Sequence, residues 1–170
     1  MSIQNSDGRL AKRVMSPRPW NFVLAGVFAA CATGEHAWAT PPKGLTSTPI
    51  VGPVLMDEVR TVHETPDHGV IIKTKGLSDV YVTNLKIIPG GHGGWHSHPG
   101  PSIITVKSGT ATFYDDCDDF VRQQYPAGTG FVEDAGCVHL LANEGDADLE
   151  VVVIQIVPFS APRRIDQPAP

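Results

Sequence analysis

Apolar residues along this chain fall in short runs, several with polar residues in alternation and nearly all bounded by turn-forming residues. Residues 49–55, 70–74, 80–88, 102–106, 110–114, 130–133, 137–142 and 149–157 read as strands. Residues 110–114 alternate Thr, Ala, Thr, Phe, Tyr, while residues 149–157 are almost continuously apolar and read as a buried strand. Pro89-Gly90-Gly91, Ser108-Gly109, Pro126-Ala127-Gly128 and Asn143-Glu144-Gly145 punctuate the runs. No segment sustains a 3.6-residue period. Short strands at this spacing predict an all-β sandwich or barrel.

The first 39 residues follow a different logic. Arg9, Lys12, Arg13 and Arg18 are followed by a twelve-residue apolar stretch, 22–33, and then by Ala37-Trp38-Ala39. Basic, apolar, then small-x-small is the order of a secretory signal peptide, with cleavage expected after Ala39. Met15 is an alternative start, and Cys31 is the residue a lipoprotein leader would use. The apolar stretch is too short for a membrane-spanning helix, so no stable span is expected after cleavage. The remaining organisation reads as an exposed Pro/Thr-rich lead-in over 40–48, one domain over 49–158 and a Pro-rich surface tail over 159–170.

Cleavage changes the charge. Four of the 13 basic and two of the 18 acidic residues lie in the leader, so 9 basic and 16 acidic residues remain, a net of −7. An acidic domain without a basic patch gives nucleic acid nothing to grip. Cys117 and Cys137 remain as well. In an exported protein they can form a disulfide or stay as two thiols. Cys137, two residues before His139, could also line the same cavity as that histidine.

The residues with chemistry are His96 and His98, separated by one serine in the run Gly93-Gly94-Trp95-His96-Ser97-His98-Pro99-Gly100. Alternate side chains of a strand share a face, so two imidazoles in H-x-H can reach one ion. His139 follows in a second strand-like run. Imidazole suits zinc, copper, iron and nickel alike. Trp95 is expected on the opposite face, in packing. His92 reads as solvent-exposed in its glycine-rich loop, as do His63 and His68 in polar stretches. Glu133-Asp134 precedes His139 and reads first as a turn, and otherwise as a source of a base or a partner for a ligand. The acidic run Asp115, Asp116, Asp118, Asp119 lacks EF-hand spacing and reads as a solvated hairpin end.

Taken together, these residues resemble the cupins. The first cupin motif, G-x5-H-x-H-x3,4-E-x6-G, is matched by Gly90, His96, His98 and Gly109, with Ser102 where the glutamate is expected. The second, G-x5-P-x-G-x2-H-x3-N, is approached by Pro126-x-Gly128, His139 and Asn143, with a longer gap before the histidine. The resemblance covers roughly residues 80–157. It implies a single-domain jelly-roll β-barrel holding one divalent transition ion (iron, manganese, nickel, copper or zinc) on His96, His98 and His139. Ser102 or Asn143 would stand at the fourth position or behind the ligands. It further implies a small-molecule substrate or ligand and a homodimer. An oxidoreductase of the dioxygenase kind, a metal-dependent isomerase or hydrolase, and a non-catalytic binder of metal or small ligands all remain open. The leader places the protein in the periplasm or outside the cell.

Overall fold

Along residues 149–157, buried and half-buried positions alternate strictly. Leu149, Val151, Val153, Gln155 and Val157 point inward. The strand is thus amphipathic by depth although nearly uniform in composition, because both of its edges are paired and its outer face still meets solvent. The inward row is apolar except at Gln155, and that exception marks the level of the site.

The structure is a computed structural model that describes residues 39–117 and 121–170. The leader expected over residues 1–39 therefore lies outside the described residues except for Ala39, as do Asp118 and Asp119 of the acidic run. Twelve strands are described: β1 (Lys43–Met56), β2 (Arg60–Thr65), β3 (His68–Lys73), β4 (Ser78–His92), β5 (His96–Ser97), β6 (Ser102–Ser108), β7 (Thr110–Asp115), β8 (Val121–Pro126), β9 (Gly130–Glu133), β10 (His139–Ala142), β11 (Leu149–Pro158) and β12 (Ile165–Asp166). No helix is present among the described residues.

One run of paired strands is β1-β4-β11-β6-β9, and the other is β12-β5-β10-β7-β8. They join where His92 of β4 pairs with Ala142 of β10. The result is a nearly closed all-β barrel of the jelly-roll kind, the architecture expected. Its core cluster contains Ile87, Ile104, Val106, Ala111, Leu141, Leu149, Val151 and Val153. Near the other end the inner face turns polar, at Thr83, Ser102, Glu133 and Gln155, all almost fully buried.

Three elements differ from expectation. The stretch read as a lead-in over 40–48 is exposed but enters strand β1 from Lys43, pairing with β4. The polar segments at β2 and β8 are strands despite lacking an apolar face. In β2–β3 the two strands pair only with each other, and in β8 only with β7. The tail over 159–170 is not a free surface segment. Its strand β12 pairs with β5, and Gln167 N donates to Trp95 O. Ala39 also bridges Pro168.

Candidate metal centre

Two ladders build the site. In the first, Gln155, Ser102 and Glu133 are direct partners across β11, β6 and β9, so their side chains form one inward row. In the second, Asp166, His96, His139 and Asp115 are partners across β12, β5, β10 and β7. His98 follows β5 and turns toward the first row.

The three histidines are buried, with one ring nitrogen from each within 4.8 Å of the others. Their ring centroids lie 4.6–5.1 Å apart. Two of the rings are oriented by backbone. His96 Nδ1 lies 2.8 Å from Gly94 O, and His98 Nδ1 lies 2.6 Å from Arg163 O. A carbonyl can only accept, so the His96 contact puts the proton on Nδ1 and leaves Nε2 with a free lone pair, while His98 Nδ1 faces both its carbonyl and the Gln155 amide nitrogen at 3.1 Å. Outer partners fix the ring and tautomer of metal-binding histidines in this way. Gly94 is suited to its task because its φ of 72° lies in the left-handed region, and a Cβ there would stand 2.1 Å from Thr40 O.

Glu133 stands beside two of the three histidines. Its carboxylate is 4% exposed and stands 3.4 Å from His98 Nε2 and 3.6 Å from His139 Nε2. His139 Nε2 has no hydrogen-bond partner. Nitrogen and carboxylate lone pairs at these distances repel unless a proton or a metal ion lies between them. Donor atoms sharing one ion at about 2.1 Å are themselves about 3.0–3.4 Å apart, close to these separations. The three histidines therefore fit a divalent transition ion, with Glu133 next to two of them.

The expectation that Glu133-Asp134 forms a turn is corrected for Glu133, which ends β9 facing inward, and holds for the exposed Asp134. Ser102 lies in the wall of the site and accepts a hydrogen bond from Gln155 Nε2 at 3.3 Å. Asn143 has another task. Its Nδ2 donates to Ile87 O and Ala147 O, and its Oδ1 accepts from Gly145 N, so its amide is used in holding the turn after β10. Cys117 and Cys137 form a disulfide, which removes Cys137 as a thiolate ligand and ties the end of β7 to the segment before His139. His92 is half-buried, and its Nδ1 accepts from Gly94 N, while His63 and His68 are exposed on β2 and β3. Trp95 lies edge-on to Tyr114, away from the three histidines.

The second motif also reads in a better register. Gly128-x5-Asp134-x-Gly136-x2-His139-x3-Asn143 needs no longer gap, with Asp134 in place of the proline. Gly128 and Gly136 both have positive φ, 86° and 81°, as turns at those points require.

Residues 84–155 match the Cupin_2 family, a cupin domain. Those residues form a cupin domain. Among solved structures, this cupin resembles the polyketide cyclase RemF from Streptomyces resistomycificus, at 14% identity over 78% of this chain and 77% of that one, with a TM-score of 0.54. It also resembles a protein with a double-stranded β-helix domain from Klebsiella pneumoniae, at 24% identity over 65% of this chain and 85% of that one, TM-score 0.45. An oxalate oxidase in complex with glycolate matches at 24% identity over 45% of this chain, TM-score 0.42, and this cupin spans 41% of that chain. At such identities the likeness extends to the fold alone. Among curated proteins, none matches the sequence.

Burial favours the neutral form of His96 and His139. Burial, then the Arg164 guanidinium, then His139 push His96 down to about 3. Burial also lowers His139, against a partial lift from Glu133. For Glu133, burial pushes upward, but the contact with His98 and the nearby His139 outweigh it, and the carboxyl stays below its usual range. The two histidines bind protons less readily folded than unfolded, so protonation favours the unfolded chain. The stability contribution of both is complete above the unfolded value of 6.5 and declines as pH falls below it, for His96 until about 3. The urea midpoint of chelator-treated protein should therefore decline from pH 7 to pH 4, at up to about 1.4 kcal/mol per pH unit for each group. A flat midpoint over that range would contradict these shifts.

Proposed function

We propose that this cupin is an exported metal-dependent enzyme, of the oxidoreductase kind, acting on a small organic molecule. His96, His98, His139 and Glu133 would hold one divalent ion among iron, manganese, nickel, copper and zinc. The observation that carries the reading is the buried group of three imidazoles with ring nitrogens within 4.8 Å of one another and a buried carboxylate beside two of them. A bound ion of this kind supplies Lewis acidity and, for iron, manganese or copper, redox capacity. The chain's own residues do the rest. Gly94 O and Arg163 O orient the His96 and His98 imidazoles, and the barrel wall keeps Glu133 out of solvent.

Beside the histidines lies a cavity of about 260 Å³, lined by Leu45, Leu85, Val153, Gln155, Arg163 and Arg164 among others. No carboxylate, and no histidine other than His96 and His98, lines it. General acid–base isomerisation or hydrolysis would thus have no separate proton carrier, which favours redox chemistry. The same observation favours, as second reading, a binder that captures its ligand unchanged. Oxygen uptake by protein loaded with each metal in turn, on addition of small organic acids, separates the two. Substrate-dependent uptake with one metal supports the enzyme, and ligand retention without turnover under every metal supports the binder.

Export and assembly complete the proposal. The basic-apolar-Ala37-Trp38-Ala39 leader supports secretion or a periplasmic location. Intact mass of the exported protein should place Thr40 first, and a mass beginning at Met1 or Met15 would contradict it. A homodimer is supported by the exposed Val62, Ile71 and Ile72 of β2–β3 and Ile50 and Leu55 of β1, more apolar surface than an isolated hairpin keeps in water. Light scattering should give twice the chain mass, and Ile71→Lys should shift it to one. A monomer at micromolar concentration would overturn the assembly.

A further inference from the structure

The tail over 159–170 brings two adjacent cations to the mouth of the barrel, and they are used differently. The Arg163 guanidinium binds the wall through two of its three nitrogens. Its Nε and Nη2 donate to Gln155 Oε1 at 3.0 and 2.6 Å, its Nη2 also donates to Thr83 Oγ1 at 3.0 Å, and it lies 4.3 Å from the Tyr81 ring centre. The Arg164 Nε donates to Asp166 at 2.5 Å, but Asp166 is 58% exposed and its charge is screened by solvent. The Arg164 Nη2 is buried without a hydrogen-bond partner. A buried guanidinium nitrogen left unpartnered is costly, and one that borders a cavity has a place for an acceptor.

The cavity shares both arginines with His96 and His98. Its remaining walls are largely apolar, through Pro42, Leu45, Leu85 and Val153. The volume of about 260 Å³ exceeds the roughly 150 Å³ that holds a benzene ring in a dry core. A cationic donor at the rim, apolar walls and no acidic lining select one kind of occupant.

We infer that this cavity is a carboxylate site, in which Arg164 takes the carboxylate of a small organic acid whose apolar body lies against Leu45, Leu85 and Val153. The inference rests on the proposed metal centre only in placing the acid next to it, and it names the substrate class of that reading. Arg164 is a binding residue brought to the site by the β5–β12 pairing. Arg163 is a positioning residue, which fixes the tail and presents its own carbonyl to His98.

The test is calorimetric titration of the full chain, metal-loaded and chelator-treated, with butyrate and benzoate and with their neutral counterparts butyramide and benzamide. The acids should bind about 10–100-fold tighter than the amides, the range of one charge-assisted hydrogen bond. Arg164→Gln should reduce that ratio to near one without changing metal content. Asp166→Asn, which breaks the same ion pair but keeps the guanidinium, should preserve it. Equal affinity for acid and amide, an unchanged ratio in Arg164→Gln, or no binding by either acid would overturn the site. If acids bind through Arg164 while no metal is retained, the carboxylate site stands and the metal reading fails. If acids bind only to metal-loaded protein and Arg164→Gln is without effect, the metal reading stands and the carboxylate site fails.

Discussion

Replacing His139 with leucine should abolish the metal-dependent rise in melting temperature while leaving the metal-free protein at least as stable as the parent. The two halves of this result have different causes. His139 is fully buried, and its Nε2 finds no hydrogen-bond partner within the protein. An apolar residue of similar volume removes a desolvated polar group and keeps the packing against Phe113, whose ring centre is 5.6 Å away. The metal-free fold therefore gives up only the 3.6 Å approach of His139 Nε2 to Glu133. The loaded fold loses a direct ligand, and the affinity should drop by more than the roughly 10–100-fold carried by outer partners of metal ligands. At a metal concentration a hundred times the parent's Kd, the parent gains about 2.7 kcal/mol from binding, and the variant should show almost none of it. Thermal unfolding with and without chelator measures both. A variant that still gains stability from metal would remove His139 from the site, and one that fails to fold without metal would contradict the view that its imidazole is uncompensated there.

The second large effect concerns the carboxylate. Position 102 is where the first motif carries its glutamate, and Ser102 stands there. Glu133 is its direct partner on the neighbouring strand. Directly opposed residues have Cβ atoms about 4.5–5.5 Å apart on one face, so Glu133 offers a carboxylate one strand sideways of the motif position, beside His98 and His139. Glu133→Ser alone leaves three neutral imidazoles and should weaken divalent-ion binding by about tenfold or more. Adding Ser102→Glu to that variant should recover most of the loss. Ser102→Glu alone places two carboxylates in one buried wall, where both cannot ionise freely, and should lower the stability of the metal-free protein. Competition with a chromogenic chelator gives the affinities. Equal affinity of Glu133→Ser and the parent, or no recovery in the double variant, would show that Glu133 is not part of the ligand set.

Much of this was legible in the chain before its fold. His96 and His98 sit at strand spacing, and His139 lies in a run that pairs with theirs. The strands at residues 102–108, 110–115 and 149–158 carry apolar or alternating residues and announce themselves. Glu133 was hidden by its neighbour. Followed by Asp134 and Gly136, it has the composition of a turn, although the two-residue period from Phe131 already places it on the inner face. Gln155 was hidden similarly, as one polar residue in an apolar strand, visible only as the point where the inward row changes character. The tail gave no local signal at all. Its proline content indicates a surface segment, and its pairing with β5 depends on contacts about seventy residues away in sequence. Strands β2 and β8 went unread for a related reason, since neither buries an apolar face that a hydrophobic period could report.

The central claim is that three histidines and one displaced glutamate hold a single ion. Elemental analysis of the exported protein purified without chelator, beside His96→Ala, tests it most directly. The account predicts close to one equivalent of a single transition metal per chain in the parent and near none in the variant. No metal in the parent, even after reconstitution with iron, manganese, nickel, copper and zinc in turn, or equal metal in both proteins, would contradict it.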